Sequence, residues 1–352
     1  MRNMIFSMSL LVFFYGCKKD DGATNSPTNT QVLVLSSGLT NGLPNSNLYI
    51  TSVYFTDINT GYILGDSVTY PPKGGQGTSK KGIILKTVNG GTTWTSLSTG
   101  TSIGLTSVYF TNSNTGYAVG GIYGSNSIIL KTINGGSTWT NLYNDTTEVF
   151  SSVFFTDANT GFVVGNNSIF KTVNGGNSWT SMVSSTNNYT NHLYSVYFPV
   201  ANTGYAVGRF YGIKGGGIIL KTIDNGTSWT TILRDTSVSV LNSVFFTDVN
   251  SGYAVGSDTS GKGIILKTIN GGTSWKTLTS GINNSLSSVC FTSGNIGYAV
   301  GGTAIIKTIN GGDNWTILTN GILDRSLTSI CFPNANNGYV VGNGGIILKL
   351  EN

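Results

Sequence analysis

The chain has 352 residues, enough for two average domains or one large repetitive one. Only 9% of them are charged, whereas 39% are apolar and 11% aromatic; this excludes a disordered chain and describes a protein poor in helix formers and rich in turn and strand residues. The formal net charge of +5 is small for the length and gives no basis for nucleic-acid binding.

The N-terminal stretch MRNMIFSMSLLVFFYGCKKDD places one arginine, then an apolar run, then Gly16-Cys17. That pattern reads as a short export signal, and the run is too short for a comfortable membrane span. A cysteine after a small residue here resembles the lipobox of bacterial lipoproteins, which implies cleavage after residue 16 and lipidation of Cys17. Phe14 and Tyr15 depart from the residues usual just before such a cysteine. Lys18-Lys19-Asp20-Asp21 resembles the signals that send some lipoproteins to the outer face of the outer membrane. Residues 17–30 are polar after the cysteine and read as a flexible tether.

From residue 31 the chain repeats. Val53, Val108, Val153, Val196, Val244, Val289 and Ile330 open equivalent segments 41 to 55 residues apart, giving seven units of the length of a four-stranded propeller blade. Each unit contains four short apolar runs: SVYF (52–55), GYAVG (116–120), GIILKT (82–87) and their equivalents, then a run opened by tryptophan. All are rich in Val, Ile, Tyr and Phe and bounded by Gly or Asn, as strands are. The seventh unit stops after GGIILKL (344–350) and lacks a fourth run, whereas VLVLSSGL (32–39) precedes the first unit and matches WTILTNGI (315–322). The N-terminal strand is therefore expected to complete the last blade and close the ring, which removes two sheet edges.

The third and fourth runs are joined six times by one turn, as in KTVNGGTTWT (86–95). Asn89, Asn134, Asn174, Asp224, Asn270 and Asn310 have side chains that can bond their own backbone, and the following Gly-Gly or Asn225-Gly226 can take positive φ. Trp94, Trp139, Trp179, Trp229, Trp275 and Trp315 then lie between blades. This Thr-x-Asn-Gly-Gly-x-Thr/Ser-Trp turn resembles the Asp-box of bacterial neuraminidase (BNR) repeats, mostly with Asn in place of Asp. With GYAVG and IILKT, the unit is most similar to the seven-bladed β-propellers of photosystem II assembly and stability factors, over residues 31–352. The resemblance implies an all-β seven-bladed propeller with four-stranded blades, and protein assembly work. The turn itself implies architecture, not activity.

Chemistry-bearing residues are few. Asp-x-Asn-x-Gly in TDINTG (56–61) suggests a calcium loop, but equivalent units replace Asp57 and no glutamate follows at the needed spacing, so an Asx-turn is expected and no metal. A lysine recurs once per unit (Lys86, Lys131, Lys171, Lys221, Lys267, Lys307, Lys349), which reads as a solvated face or as a cation ring for an anion. His192 is the only histidine, leaving little for a triad or metal cluster, and no cofactor is implied. Arg209, Arg234 and Arg325 sit in different units, which disfavours a sialidase. Asp66, Asp145, Glu148, Asp235, Asp258 and Asp324 leave open a paired-carboxylate glycosidase. Cys290 and Cys331 occupy one repeat position in neighbouring units and are expected as separate buried thiols.

An up-and-down path puts the monotonous TDxNTG and NGG turns on one face and the variable loops on the other. Variable loops on a rigid scaffold are where function concentrates. Loops 66–81, 121–127, 184–194, 209–217 and 257–262 supply Tyr70, Lys73, Tyr123, Tyr189, His192, Arg209, Phe210 and Tyr211 as candidate binding residues, tyrosine and arginine being typical interface anchors. The expected protein is a noncatalytic, lipid-anchored envelope scaffold with a protein partner; carbohydrate binding or hydrolysis is the alternative.

Overall fold

Seven antiparallel sheets of four strands each make up the computed structural model, which describes residues 30–36, 46–69, 79–121, 126–145, 148–166, 168–183, 191–319 and 325–352. Blades 1 to 6 take their strands consecutively from residues 46–97, 105–145, 150–183, 191–235, 238–279 and 288–319. Blade 7 combines three strands from Leu327–Asn334 to Ile347–Glu351 with the N-terminal strand Gln31–Ser36. There Val32 faces Leu350 and Val34 faces Leu348 in antiparallel register, so the expected ring closure is present. Every regular element among the described residues is a strand.

The second strand of each unit is buried on both faces, which is why GYAVG lacks clean alternation. Its first glycine seats an aromatic ring: a Cβ on Gly116 would stand 2.5 Å from the Phe110 ring. One apolar cluster fills each of the seven blade interfaces, the last joining Ile50, Val53 and Phe55 to Tyr339, Val341 and Ile347. At every interface the aromatic residue of one blade's second strand stacks on a phenylalanine of the next blade's first strand. The pairs run from Tyr62–Phe110 at 4.1 Å to Tyr339–Phe55 at 3.9 Å. Trp139 joins the cluster between blades 1 and 2, edge-on to Phe110. Such contacts contribute about 1 kcal/mol each beyond their area.

The repeated turn is held by its own side chains. Asn89 Oδ1 accepts from the Thr93 amide at 2.9 Å, and Thr87 Oγ1 accepts from the Gly91 amide at 3.0 Å. Gly90 and Gly91 take φ of 63° and 80°, and in blade 4 Asn225 takes 56°, the left-handed region expected of this turn. Asp57 Oδ1 likewise accepts from the Asn59 and Thr60 amides at 2.8 and 2.9 Å, an Asx-turn.

Most of the repeated lysines do something that neither sequence reading anticipated: they latch blade to blade. Lys86, Lys131, Lys171 and Lys221 donate at 2.6 to 2.7 Å to a turn carbonyl of the next blade. Lys267 reaches Asp313 instead, and Lys349 pairs with Glu351. The Nζ atoms of Lys86, Lys131, Lys171 and Lys221 also lie 5.5 to 5.8 Å from the centroid of the Tyr or Phe ring of the same blade.

The axial ends of the first strands form an inner ring. Tyr54, Tyr109, Phe154, Tyr197 and Phe245 follow one another at 5.0 to 5.5 Å between ring centroids. Cys290 and Cys331 take the same position in blades 6 and 7; they are free thiols, as expected, but half-buried rather than fully buried. Burial pushes Cys290 up to about 12 and Cys331 to about 11.

Candidate functional site

The two faces of the disc differ as expected. The Gly90 amide donates to Asn59 O at 2.9 Å, tying the first-second turn to the third-fourth turn on one face, and equivalent bonds recur from Gly135 to Asn114 and from Gly271 to Asn250. The other face carries the remaining loops. Tyr70, Lys73, Tyr123 and Tyr189, like Cys17, lie outside the described residues. The described candidates come together on blade 4.

Blade 4 stands taller than its sequence suggested. Residues 191–194 and 209–210 were expected in loops, but the hairpin continues: Asn191 pairs with Phe210, His192 with Arg209 and Leu193 with Gly208. The strands run on because Leu193 and Phe210 are buried against the core between blades 3 and 4. Pairing puts His192 and Arg209 side by side on one side of the sheet, and Asn191 and Phe210 on the other.

On the first side His192 Nδ1 lies 3.3 Å from the Tyr211 hydroxyl and 3.4 Å from that of Tyr194. The imidazole meets the Tyr211 ring edge-on at 5.9 Å, and the Arg209 guanidinium sits 5.1 Å over the Tyr211 centroid. Burial lowers the His192 pKa from 6.5, so the ring is neutral at pH 7 and Nδ1 can accept a hydroxyl proton. Burial, then the neighbouring Tyr211, pushes Tyr194 up to about 12. Arg209 Nε is buried without a hydrogen-bond partner.

On the second side the Arg234 guanidinium lies 4.7 Å over the Phe210 ring, and Nη2 reaches Asn191 Oδ1 at 3.5 Å. Two arginines thus sit on aromatic shelves at the crest of one blade. Stacking fixes the guanidinium plane, and a guanidinium edge is suited to carboxylates and carbonyl oxygens. Sequence reasoning missed Tyr194, Arg234 and Asn191. Tyr194 was findable, because it lies two residues from His192 and so shares its side of a strand. Arg234 was not, because its placement depends on the register of the fourth strand.

Asp235 and Asp258 serve their own loops, and Glu148 is held by a neighbouring one. Asp235 Oδ1 accepts from the Ser237 amide at 2.8 Å, Asp258 Oδ1 from those of Ser260 and Lys262 at 2.8 and 2.9 Å, and Glu148 from the Ser168 hydroxyl at 2.7 Å. Hydrogen bonds to Ser260 hold Asp258 below the ordinary carboxylate range, opposite to what a general acid needs. Among the described residues no three His, Cys, Asp or Glu side chains are grouped to hold a metal.

Residues 137–239 match the family of the photosystem II assembly factor YCF48, and these residues include the whole of blade 4. A solved YCF48 bound to a D1 peptide is 19% identical, covers 93% of this chain and 98% of its own, and superposes with a TM-score of 0.67. YCF48 from Cyanidioschyzon merolae is 18% identical over 91% of this chain and 98% of its own, with a TM-score of 0.65. The chain is similar to the YCF48 BNR propellers and shares their fold. A GH74 xyloglucanase from Xanthomonas campestris shares the propeller fold at 12% identity and a TM-score of 0.53, over 89% of this chain and 60% of its own. No curated protein matches.

Proposed function

We propose that this propeller is a noncatalytic binding scaffold that holds a segment of a partner protein against the crest of blade 4. The observation that carries the proposal is the cluster of His192, Tyr194, Arg209 and Tyr211, with Arg234 on Phe210 behind it. Tyrosine and arginine held rigid by stacking lose little entropy on binding, and an arginine edge suits the carboxylates and carbonyls of a peptide. The YCF48 solved with a D1 peptide supports this reading, because that propeller accommodates a peptide. The photosystem role itself does not transfer, because the setting proposed for this chain is the bacterial envelope. Cys17 after a short apolar signal supports an exported, lipid-anchored protein on the outer membrane, and Lys18-Lys19-Asp20-Asp21 supports display at the cell surface.

The carbohydrate reading keeps the same face and a different partner. Affinity capture from the envelope fraction tests both. Wild-type chain should retain a protein, and the triple variant His192→Ala, Arg209→Ala, Tyr211→Ala should lose most of it. Equal retention by the triple variant removes this site. Retention of polysaccharide in place of protein establishes the alternative.

A further inference from the structure

The turn face, which looks purely structural, carries an unexplained feature. The residue before the Asn or Asp of each repeated turn is Val88, Ile133, Val173, Ile223, Ile269 or Ile309, and all six are 60 to 72% exposed. Ile58 and Val249 on the neighbouring turns are also exposed. Each stands just past the end of its strand, in the bend, where the backbone needs no apolar side chain: threonine has the same branched shape, and it is abundant elsewhere in the chain. Exposed β-branched residues repeated around one face make a ring of apolar contacts with no partner in the fold.

The chain leaves the propeller on that same face. Thr30 Oγ1 donates to Asn352 Oδ1 at 2.8 Å and accepts from Lys307 at 2.7 Å. Asn352 in turn donates to Ala335 O and Asn336 O, in the first-second turn of blade 7. Thr30 therefore stands among the turns, and the segment toward Cys17 departs from there. Thirteen residues span at most about 45 Å. A tether that short, rooted on this face, keeps the face at high effective concentration beside whatever holds its far end.

We infer that the ring of Val88, Ile133, Val173, Ile223, Ile269 and Ile309 rests on the lipid bilayer to which the chain is tethered, so that the crest of blade 4 points away from the membrane. This rests on the lipid-anchor reading of Cys17. The charges of this face are largely spent internally, lysines on turn carbonyls and Asp57, Asp157 and Asp248 on turn amides. Contact is thus by shallow apolar insertion rather than by attraction to charged headgroups.

The six tryptophans of the chain all lie in these turns, so their fluorescence reports on this face alone. The mature lipidated chain, which begins at Cys17, is reconstituted with phosphatidylethanolamine–phosphatidylglycerol vesicles that contain lipids brominated near the headgroup. Quenching should be roughly three-fold stronger than in a variant with all six ring residues changed to Thr, at equal vesicle-bound fraction and with an unchanged near-ultraviolet dichroism spectrum. Hydrogen exchange on the wild-type chain, which needs no variant, should show residues 88–91 and their equivalents slowed by vesicles and the loops of blade 4 unchanged. Equal quenching in the two chains overturns the inference. So does slowing of the turns without vesicles that grows with protein concentration, which marks a second copy as the occupant. The anchor is judged separately: a Cys17→Ser chain that stays on vesicles as fully as the wild type removes the anchor, whatever the quenching of the bound protein.

Discussion

The Tyr62 hydroxyl donates to the Gly135 carbonyl, 2.9 Å away in the next blade, and Lys86 Nζ donates to the same oxygen at 2.7 Å. One carbonyl of a repeated turn thereby takes two donors from its neighbour. Tyr117 with Lys131 and Tyr205 with Lys221 repeat the arrangement at Gly175 and Gly271. The latch adds to apolar contacts and to hydrogen bonds between first strands, such as Thr51 Oγ1 to Leu105 O, and its direction around the ring is the same each time.

Blade 3 has Phe162 where the others have tyrosine, so Lys171 alone holds Asn225 O. Tyr62→Phe should cost about 1 kcal/mol, the usual net value of one such bond. Phe162→Tyr should return up to about 1 kcal/mol by supplying the missing donor. Calorimetric melting temperatures of the two variants should move in opposite directions, and a fall for both would show that the hydroxyl is not what stabilises the turn.

Asp224 is the one repeated turn with a carboxylate in place of an amide. Hydrogen bonds from the Ser228 hydroxyl, the Ser228 amide and Thr222 hold its carboxyl well below the ordinary value of 3.8. Its contribution to stability is therefore whole above about pH 4 and is lost as the pH falls through the lower folded value. Asp224→Asn, the residue of the other copies, should lose less stability than the wild type between pH 4 and pH 2 while folding equally well at pH 7. Denaturant melts across that range decide it.

The thiols in the inner ring should be inert while the ring is closed. With Cys290 at about 12 and Cys331 at about 11, against an ordinary 9.0, their thiolate fraction near pH 8 is lower by about two orders of magnitude or more. Iodoacetamide should label both slowly in the native protein and rapidly in urea. Fast native labelling would mean that the axial end of blades 6 and 7 opens.

His192, as the only histidine, gives a single imidazole signal. Burial lowers its pKa, so the folded site is disfavoured once the pH drops below 6.5, where the unfolded ring takes up a proton first. A nuclear magnetic resonance titration should place its midpoint below 6.5. Partner capture should weaken at more acid pH in the wild type, and it should do so less in His192→Ala.

The sequence by itself determined the architecture, because each local rule recurs often enough to be read several times over. Seven openings such as Val53 and Val108 count the blades, the Asn-Gly-Gly turns set the hairpins, and the orphan run at 32–36 has one vacancy to fill, beside Ile347–Glu351. What only the tertiary structure decided are meetings between distant residues. Lys86 and Gly135 are 49 positions apart, and nothing local announces that the lysine crosses to the next blade. Arg234 reaches Phe210 because strand register and a tall hairpin carry both to one crest. The exposed ring of Val88 and its equivalents, and the root of the tether at Thr30, share a face only once the ring has closed. Periodicity and turn chemistry act over a few residues and are written in the sequence; register, stacking and the side from which a chain departs are fixed by packing across blades.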